Sequence, residues 1–185
     1  MLETFAERES EASRPGSDRT GFSVRSLQER RCMGDLEEKN KERVRAMLEA
    51  VDASLGTGSY QETDEFYAAD CVTHSHPRSY YQGDRPRSGD GHEARYRQLD
   101  EARASFGERR HQPVFQVAEG DVVVTTVEVT LKHTGPFAGI APTGKEVHSH
   151  QVFIHRLEDG KITDVWSYGD LLGMLRQLGA TLSLP

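Results

Sequence analysis

Cysteine is nearly absent: the 185-residue chain has two, Cys32 and Cys71, so neither a CxxC motif nor a four-cysteine framework can form. A structural disulfide between them is not expected, because Cys32 falls in a polar segment and the compartment reads as reducing. Cys71 reads as a small apolar residue beside a strand, with no electropositive setting to make it a nucleophile. Long apolar runs are missing as well. The longest are strand-like, such as Val122-Val123-Val124, far short of a bilayer crossing. The opening residues, MLETFAERESEAS, carry acids where a signal peptide has bases followed by an apolar stretch. These absences set the expectation of a cytoplasmic protein that makes no use of a membrane. A surplus of bases is the third thing lacking. With 23 Lys and Arg against 30 Asp and Glu, the formal charge is −7, which argues against nucleic acid as the partner, since phosphate binding needs a basic face.

What is present divides into a tail and one domain. Residues 1–34 include ESEASRPGSDRTGFS, which is charged and turn-rich and has no sustained apolar period, so it predicts a disordered tail. A start of translation at Met33, directly ahead of the first helix, is the alternative for this segment. The domain is expected over 35–185. Val44, Met47, Leu48, Val51 and Leu55 recur at helical spacing, and Gly56-Thr57-Gly58 stops that helix. The pattern then predicts a shorter helix over 60–69, a short strand at Cys71-Val72-Thr73-His74 that breaks at Pro77, and a loop through RSYYQGDRPRSGDG. A third helix is expected over 92–106, burying Tyr96, Leu99, Ala102 and Phe106.

Strands make up most of the remainder. One begins near Pro113. In the next, Val123, Thr125, Val127, Val129, Leu131 and His133 share a face, with Glu128 and Lys132 on the other. A third runs over 146–157, Glu158-Asp159-Gly160-Lys161 forms a hairpin turn with positive φ at Gly160, and a last strand covers 162–168. A closing helix spans 171–178 and ends at Gly179. Helices followed by an antiparallel sheet and one more helix make an α+β layer design, in which a curved sheet closes over helices and leaves a pocket.

The segments HTGPFAGIAPTGKEV and VFIHRLEDGKITDVWSYGDLLGMLRQLG, with NKERVRAMLEAV and ADCVTH upstream, resemble the SnoaL-like polyketide cyclases of the nuclear-transport-factor-2-like fold. The resemblance covers nearly all of residues 40–179, in order and spacing. It implies a curved antiparallel sheet wrapped around N-terminal helices, a cone-shaped α+β barrel with a short C-terminal helix. It also implies cofactor-independent ring closure by intramolecular aldol chemistry on a small hydrophobic or polycyclic substrate of secondary metabolism, without metal, in a homodimer paired through outer-face residues such as Glu128, Thr130 and Lys132. The same fold hosts epoxide hydrolases, isomerases and binding modules, so fold alone does not decide the chemistry.

The resemblance places the acid/base at Asp170. The competing role is an N-cap of the following Leu171-Leu172 helix, and capping and catalysis compete for one carboxylate. His74 is expected either as a pocket group that hydrogen-bonds a carbonyl and stabilises an enolate or as a satisfied strand-end residue. The family's second catalytic histidine aligns with His155 or Arg156. His148 and His150 stand two apart on one strand face, with His155 on the other; one member of this set is expected to face the pocket, and His148 and His150 are candidates for binding substrate. Like His74 and His76, the pair also raises a metal reading that we set aside for want of an acidic third ligand. Trp166 is expected to line the pocket, with Tyr168 either lining it or packing in the core. Tyr80 and Tyr81 belong either to a lid or to a solvated loop. Asp164 and Arg156 are the residues a hydrolase mechanism would recruit, and a non-catalytic ligand-binding module is the third reading.

Overall fold

The computed structural model describes residues 24–74 and 91–181, with side chains from residue 34 onward. The tail through Ser23, the loop carrying His76, Tyr80 and Tyr81, and the side chain of Cys32 therefore lie outside the described residues.

Helix α1, Val24–Thr57, begins upstream of Asp35, where the apolar period starts. Its stripe of Val44, Met47, Leu48, Val51 and Leu55 is buried throughout, as a 3.6-residue period requires of a helix lying on a sheet. Each such side chain contributes about 1.5–3 kcal/mol by leaving water. Where a second helix was expected over 60–69, the chain makes only a 3-10 turn, Gln61–Thr63, and then enters strand β1, Tyr67–His74. Tyr67 and Cys71 are buried there, and burial raises the Cys71 thiol to about 11, consistent with an inert packing residue. Helix α2, Gly91–Ser105, follows.

Four strands then form a meander: β2, Phe106–Glu119; β3, Val122–His133; β4, Glu146–Glu158; and β5, Lys161–Gly169. β2 starts well before Pro113, which sits at a bulge in the β2–β3 register, where a residue lacking an N–H is tolerated. The β4–β5 turn has Asp159 at φ 49° and Gly160 at φ 75°, the doubly positive geometry of a two-residue hairpin. The strand order is β1-β5-β4-β3-β2. β1 runs parallel to β5, so the sheet is mixed and unclosed, and only the β2–β5 part is antiparallel as expected. No helix among the described residues is long and apolar enough to cross a membrane.

Register assigns the two faces. Val123, Thr125, Val127, Val129, Leu131 and His133 are each no more than 2% exposed and face α1. Their β4 partners are His155, Phe153, Gln151, Ser149 and Val147, and on β5 the same rows continue as Val165, Ser167 and Gly169. This is the inner face. The outer face carries Glu128 and Lys132 of β3, His148 and His150 of β4, and Trp166 and Tyr168 of β5. Helix α3, Leu171–Leu178, buries Met174 and Leu178 in the core. The Gln177 carboxamide fixes it to β4 by accepting the His148 N–H at 2.9 Å and donating to the His148 carbonyl at 2.7 Å.

Candidate functional site

Asp170 stands at the end of β5, exposed, where the chain leaves the sheet. Its N–H donates to the His150 carbonyl at 3.2 Å, and its Oδ1 accepts the Gly173 N–H at 2.8 Å. It is therefore the N-cap of α3. A Cβ on residue 173 would come 2.1 Å from Asp170 Oδ2, so the cap depends on glycine there. Gly169, the preceding residue, pairs with Gln151 and ends the inner-face row, so Asp170 stands at the end of the sheet, one residue beyond that row.

The other residues singled out from the sequence are split between the two faces. His155 is inner and 1% exposed, and its Nδ1 has no hydrogen-bond partner. Burial drives its imidazole down to about 4, so it is a neutral core residue at physiological pH. His74, Trp166, Tyr168, His148 and His150 are all outer. Trp166 and Tyr168 pair with Ile154 and Val152, and strand alternation holds them off the inner face where pocket lining would require them. His148 and His150 line a shallow outer hollow of about 300 Å³ together with Arg110, Gln112 and Glu128. Among the described residues no group of three His, Cys, Asp or Glu side chains is placed to hold a metal.

The structure does bring His74 and Trp166 together. Their rings stack at 4.3 Å with 5° between planes, and His74 Nε2 lies 2.7 Å from Asp164 Oδ1. The Arg156 guanidinium stands 5.7 Å from the Trp166 ring centre and 3.8 Å from Asp164 Oδ2. Partial burial alone would raise the Asp164 carboxyl, but hydrogen bonds from His74 and Thr163 and the Arg156 charge hold it below its ordinary value.

A second polar cluster, on the inner face, was not foreseen. Asp52 of α1 accepts the His111 backbone N–H at 2.7 Å with Oδ2, and its Oδ1 lies 2.5 Å from His111 Nδ1. His111 Nε2 in turn accepts from Arg109 Nε at 3.1 Å, and Arg109 Nη2 donates to Gln151 Oε1 at 3.1 Å. This pattern assigns the imidazole proton to Nδ1. Burial and the adjacent Arg109 charge push the His111 imidazole below its ordinary value, outweighing Asp52, so His111 is a neutral relay. Phe153 meets its ring edge-on at 5.8 Å. Beyond them the inner face opens: Gln151, Phe153 and Val165 are half-buried and Ser167 is exposed. The arrangement offers a cation, two amide or hydroxyl groups and an aromatic wall on one face of the sheet.

The model of one family, "SnoaL-like polyketide cyclase", matches residues 45–178, the whole span from mid-α1 to the end of α3. The chain belongs to that family. Among curated relatives, nogalonic acid methyl ester cyclase of Streptomyces nogalater is 35% identical over 78 residues, 42% of this chain and 58% of that protein. Aklanonic acid methyl ester cyclase of Streptomyces peucetius is 32% identical over 82 residues, 44% of this chain and 57% of its own. The matched stretch thus spans little more than half the length of these relatives. Among solved structures, a candidate SnoaL-like polyketide cyclase from Jannaschia sp. CCS1 superposes with a TM-score of 0.65 at 22% identity, covering 80% of this chain and 96% of that one. TsrD from Streptomyces laurentii gives 0.60 at 24% identity, covering 76% and 97%. These structures share the fold.

Proposed function

We propose that this chain is a polyketide cyclase-type enzyme that closes a ring by acid/base chemistry at the inner face, on a small polyketide ester. What supports the reading is Asp170 at the end of the last strand, one residue beyond the inner-face row, in a chain of the cyclase family whose curated relatives are methyl ester cyclases. In the step, a carboxylate oxygen of Asp170 takes the proton α to the ester carbonyl. The resulting enolate carbon attacks a ketone carbon of the same molecule, one carbon–carbon bond forms, and the ketone π electrons move to oxygen. The alkoxide then takes the proton back from Asp170. Substrate and product are isomers, so the step balances without oxidant, reductant or cofactor. Oδ1 serves the cap while Oδ2 moves the proton. Phe153 supplies a flat apolar wall suited to a polycyclic substrate.

The test is turnover of nogalonic or aklanonic acid methyl ester by the purified chain, compared with Asp170→Asn. Wild-type ring closure that falls at least about a hundredfold in the variant, with the fold intact, supports the proposal; undiminished turnover in the variant overturns it. The cap geometry itself favours a second reading, a non-catalytic ligand-binding module, which predicts ligand binding with no turnover by wild type. A hydrolase of the epoxide-hydrolase type would have to use Arg156 and Asp164, and these sit on the outer face, away from Asp170.

We propose also that the protein works as a cytoplasmic homodimer paired through the outer face. Phe115, Val117 and Tyr168 are 58%, 46% and 47% exposed. Register continues them through Val124, Val152 and Ile154, an apolar band of the kind that marks an interaction surface. Light scattering at a single-chain mass would overturn this.

A further inference from the structure

Arg109 is held in place by an unusual chain of partners for a half-exposed cation. Asp52, on α1, engages His111 twice, through the backbone N–H and through Nδ1. That two-point contact fixes the imidazole plane and its tautomer, leaving Nε2 as an acceptor aimed at Arg109 Nε. The His111 side chain is 3% exposed, so it is not itself a group that substrate meets. The guanidinium then reaches across β3, from β2 to the Gln151 carboxamide on β4. Its Cα row is Leu131 and that of Gln151 is Val127, so the side chain lies along the inner face rather than standing off it. Gln151 is also the residue paired with Gly169, next to Asp170.

We infer that Arg109 is a further catalytic residue of this site, which receives the oxygen of the enolate formed when the α-proton leaves, with Asp52 and His111 as its positioning residues. Gln151 Oε1 occupies the place on Nη2 that the enolate oxygen takes. An anionic oxygen adds full charge–charge attraction to its bond with the guanidinium, which a neutral amide oxygen lacks, so the carboxamide gives way as charge develops and rebinds when it is quenched. This is differential stabilisation of the transition state: the neutral carbonyl of the substrate gains little over Gln151, whereas the enolate gains much. Fixing the guanidinium beforehand matters because its rotamer entropy is then not lost in the step. The ligand chemistry follows: a planar β-dicarbonyl or phenolic group able to carry negative charge on oxygen.

The inference rests on the proposed cyclase reading, and a turnover-independent probe separates the two. A hydroxyanthraquinone, whose phenolate mimics the enolate and absorbs at longer wavelength than the phenol, is titrated with pH in the presence of the full chain. Wild type should bind the phenolate in preference and lower the probe's apparent pKa by about one unit, a tenfold preference. Arg109→Gln should abolish that shift, Arg109→Lys should keep part of it, and Asp170→Asn should keep it whole. His111→Asn, which leaves the cation but releases its orientation, should weaken the shift and, with an ester substrate, lower kcat more than it raises KM. An equal phenolate shift in Arg109→Gln, or no binding of the probe to wild type, overturns the inference. If the shift follows Arg109 while wild type closes no ring, the cyclase reading fails and the anion site stands.

Discussion

Acidification should destabilise this protein measurably through one side chain. His155 lies in the inner-face core, 1% exposed, between Val123 and Val165 in register, with Nδ1 unbonded. Burial lowers its imidazole from 6.5 to about 4. A depressed histidine is protonated more readily in the unfolded chain, so its contribution to stability is complete above about pH 6.5 and is lost as pH falls toward 4. Between pH 8 and pH 5 the linkage relation gives a loss of about 2 kcal/mol from this residue alone. His111, also depressed, adds to it with the same sign. The assay is urea unfolding at pH 8, 6.5 and 5, followed by far-ultraviolet circular dichroism and by the fluorescence of the single tryptophan, Trp166. The comparison is with His155→Leu, which has similar volume and no titration. The variant should match or exceed wild type at pH 8, and its advantage should grow by about 2 kcal/mol by pH 5. A difference between the two proteins that stays flat across this range would refute the argument, because it would mean that the imidazole is hydrated in the folded state.

Other perturbations have directions set by named contacts. Gly135→Ala places a Cβ 1.8 Å from the Ala104 carbonyl oxygen and should cost about 3 kcal/mol or more, read as a lowered urea midpoint. Gln177→Ala removes both bonds that fix α3 to β4 and should cost about 1–2 kcal/mol, with the loss confined to local opening detected by hydrogen exchange at α3. Asp64→Asn should destabilise by about 3 kcal/mol, because Arg95, whose side chain is 7% exposed, donates to Asp64 at 3.0 Å and would be left a poorly compensated buried cation. Metal analysis of the purified protein should find no stoichiometric zinc or iron; finding either would restore the histidine-pair reading.

Much of the fold was legible because it is written in short-range periods. The α1 stripe and the Val123-to-His133 face follow from spacings of 3.6 and 2, and the Asp159-Gly160 hairpin from turn chemistry. The stretch 60–69 was misread as a helix because Phe66, Tyr67 and Cys71 give an apolar spacing compatible with either element, and pairing with β5 decides it. The start of β2 was hidden because GERRHQ carries no apolar alternation; its inner positions, Arg109 and His111, are polar. That also explains why the inner cluster was missed. Asp52 and His111 are 59 residues apart, and nothing local in either sequence marks the pair. Had the strand been extended to Phe106, Arg109 and His111 would have shared a face by alternation. The cap role of Asp170 was legible from its residue type and its position before Leu171, whereas the base role comes only from the family resemblance and is the proposal tested below. Trp166 and Tyr168 share a strand side as expected, but which side faces the helices depends on β3 and β4 packing, a property of the whole sheet.

The activity proposed for this chain is ring closure at the inner face, with Asp170 at the end of the last strand as the base. The measurement that tests it most directly is the time course of a methyl ester polyketide, nogalonic or aklanonic acid methyl ester, incubated with the chain and resolved by chromatography coupled to mass spectrometry. Wild type should form a product of unchanged mass and altered retention, and both Asp170→Asn and Arg109→Gln should suppress it. Tight binding of the ester with no isomeric product, or isomerisation that neither substitution affects, would contradict it.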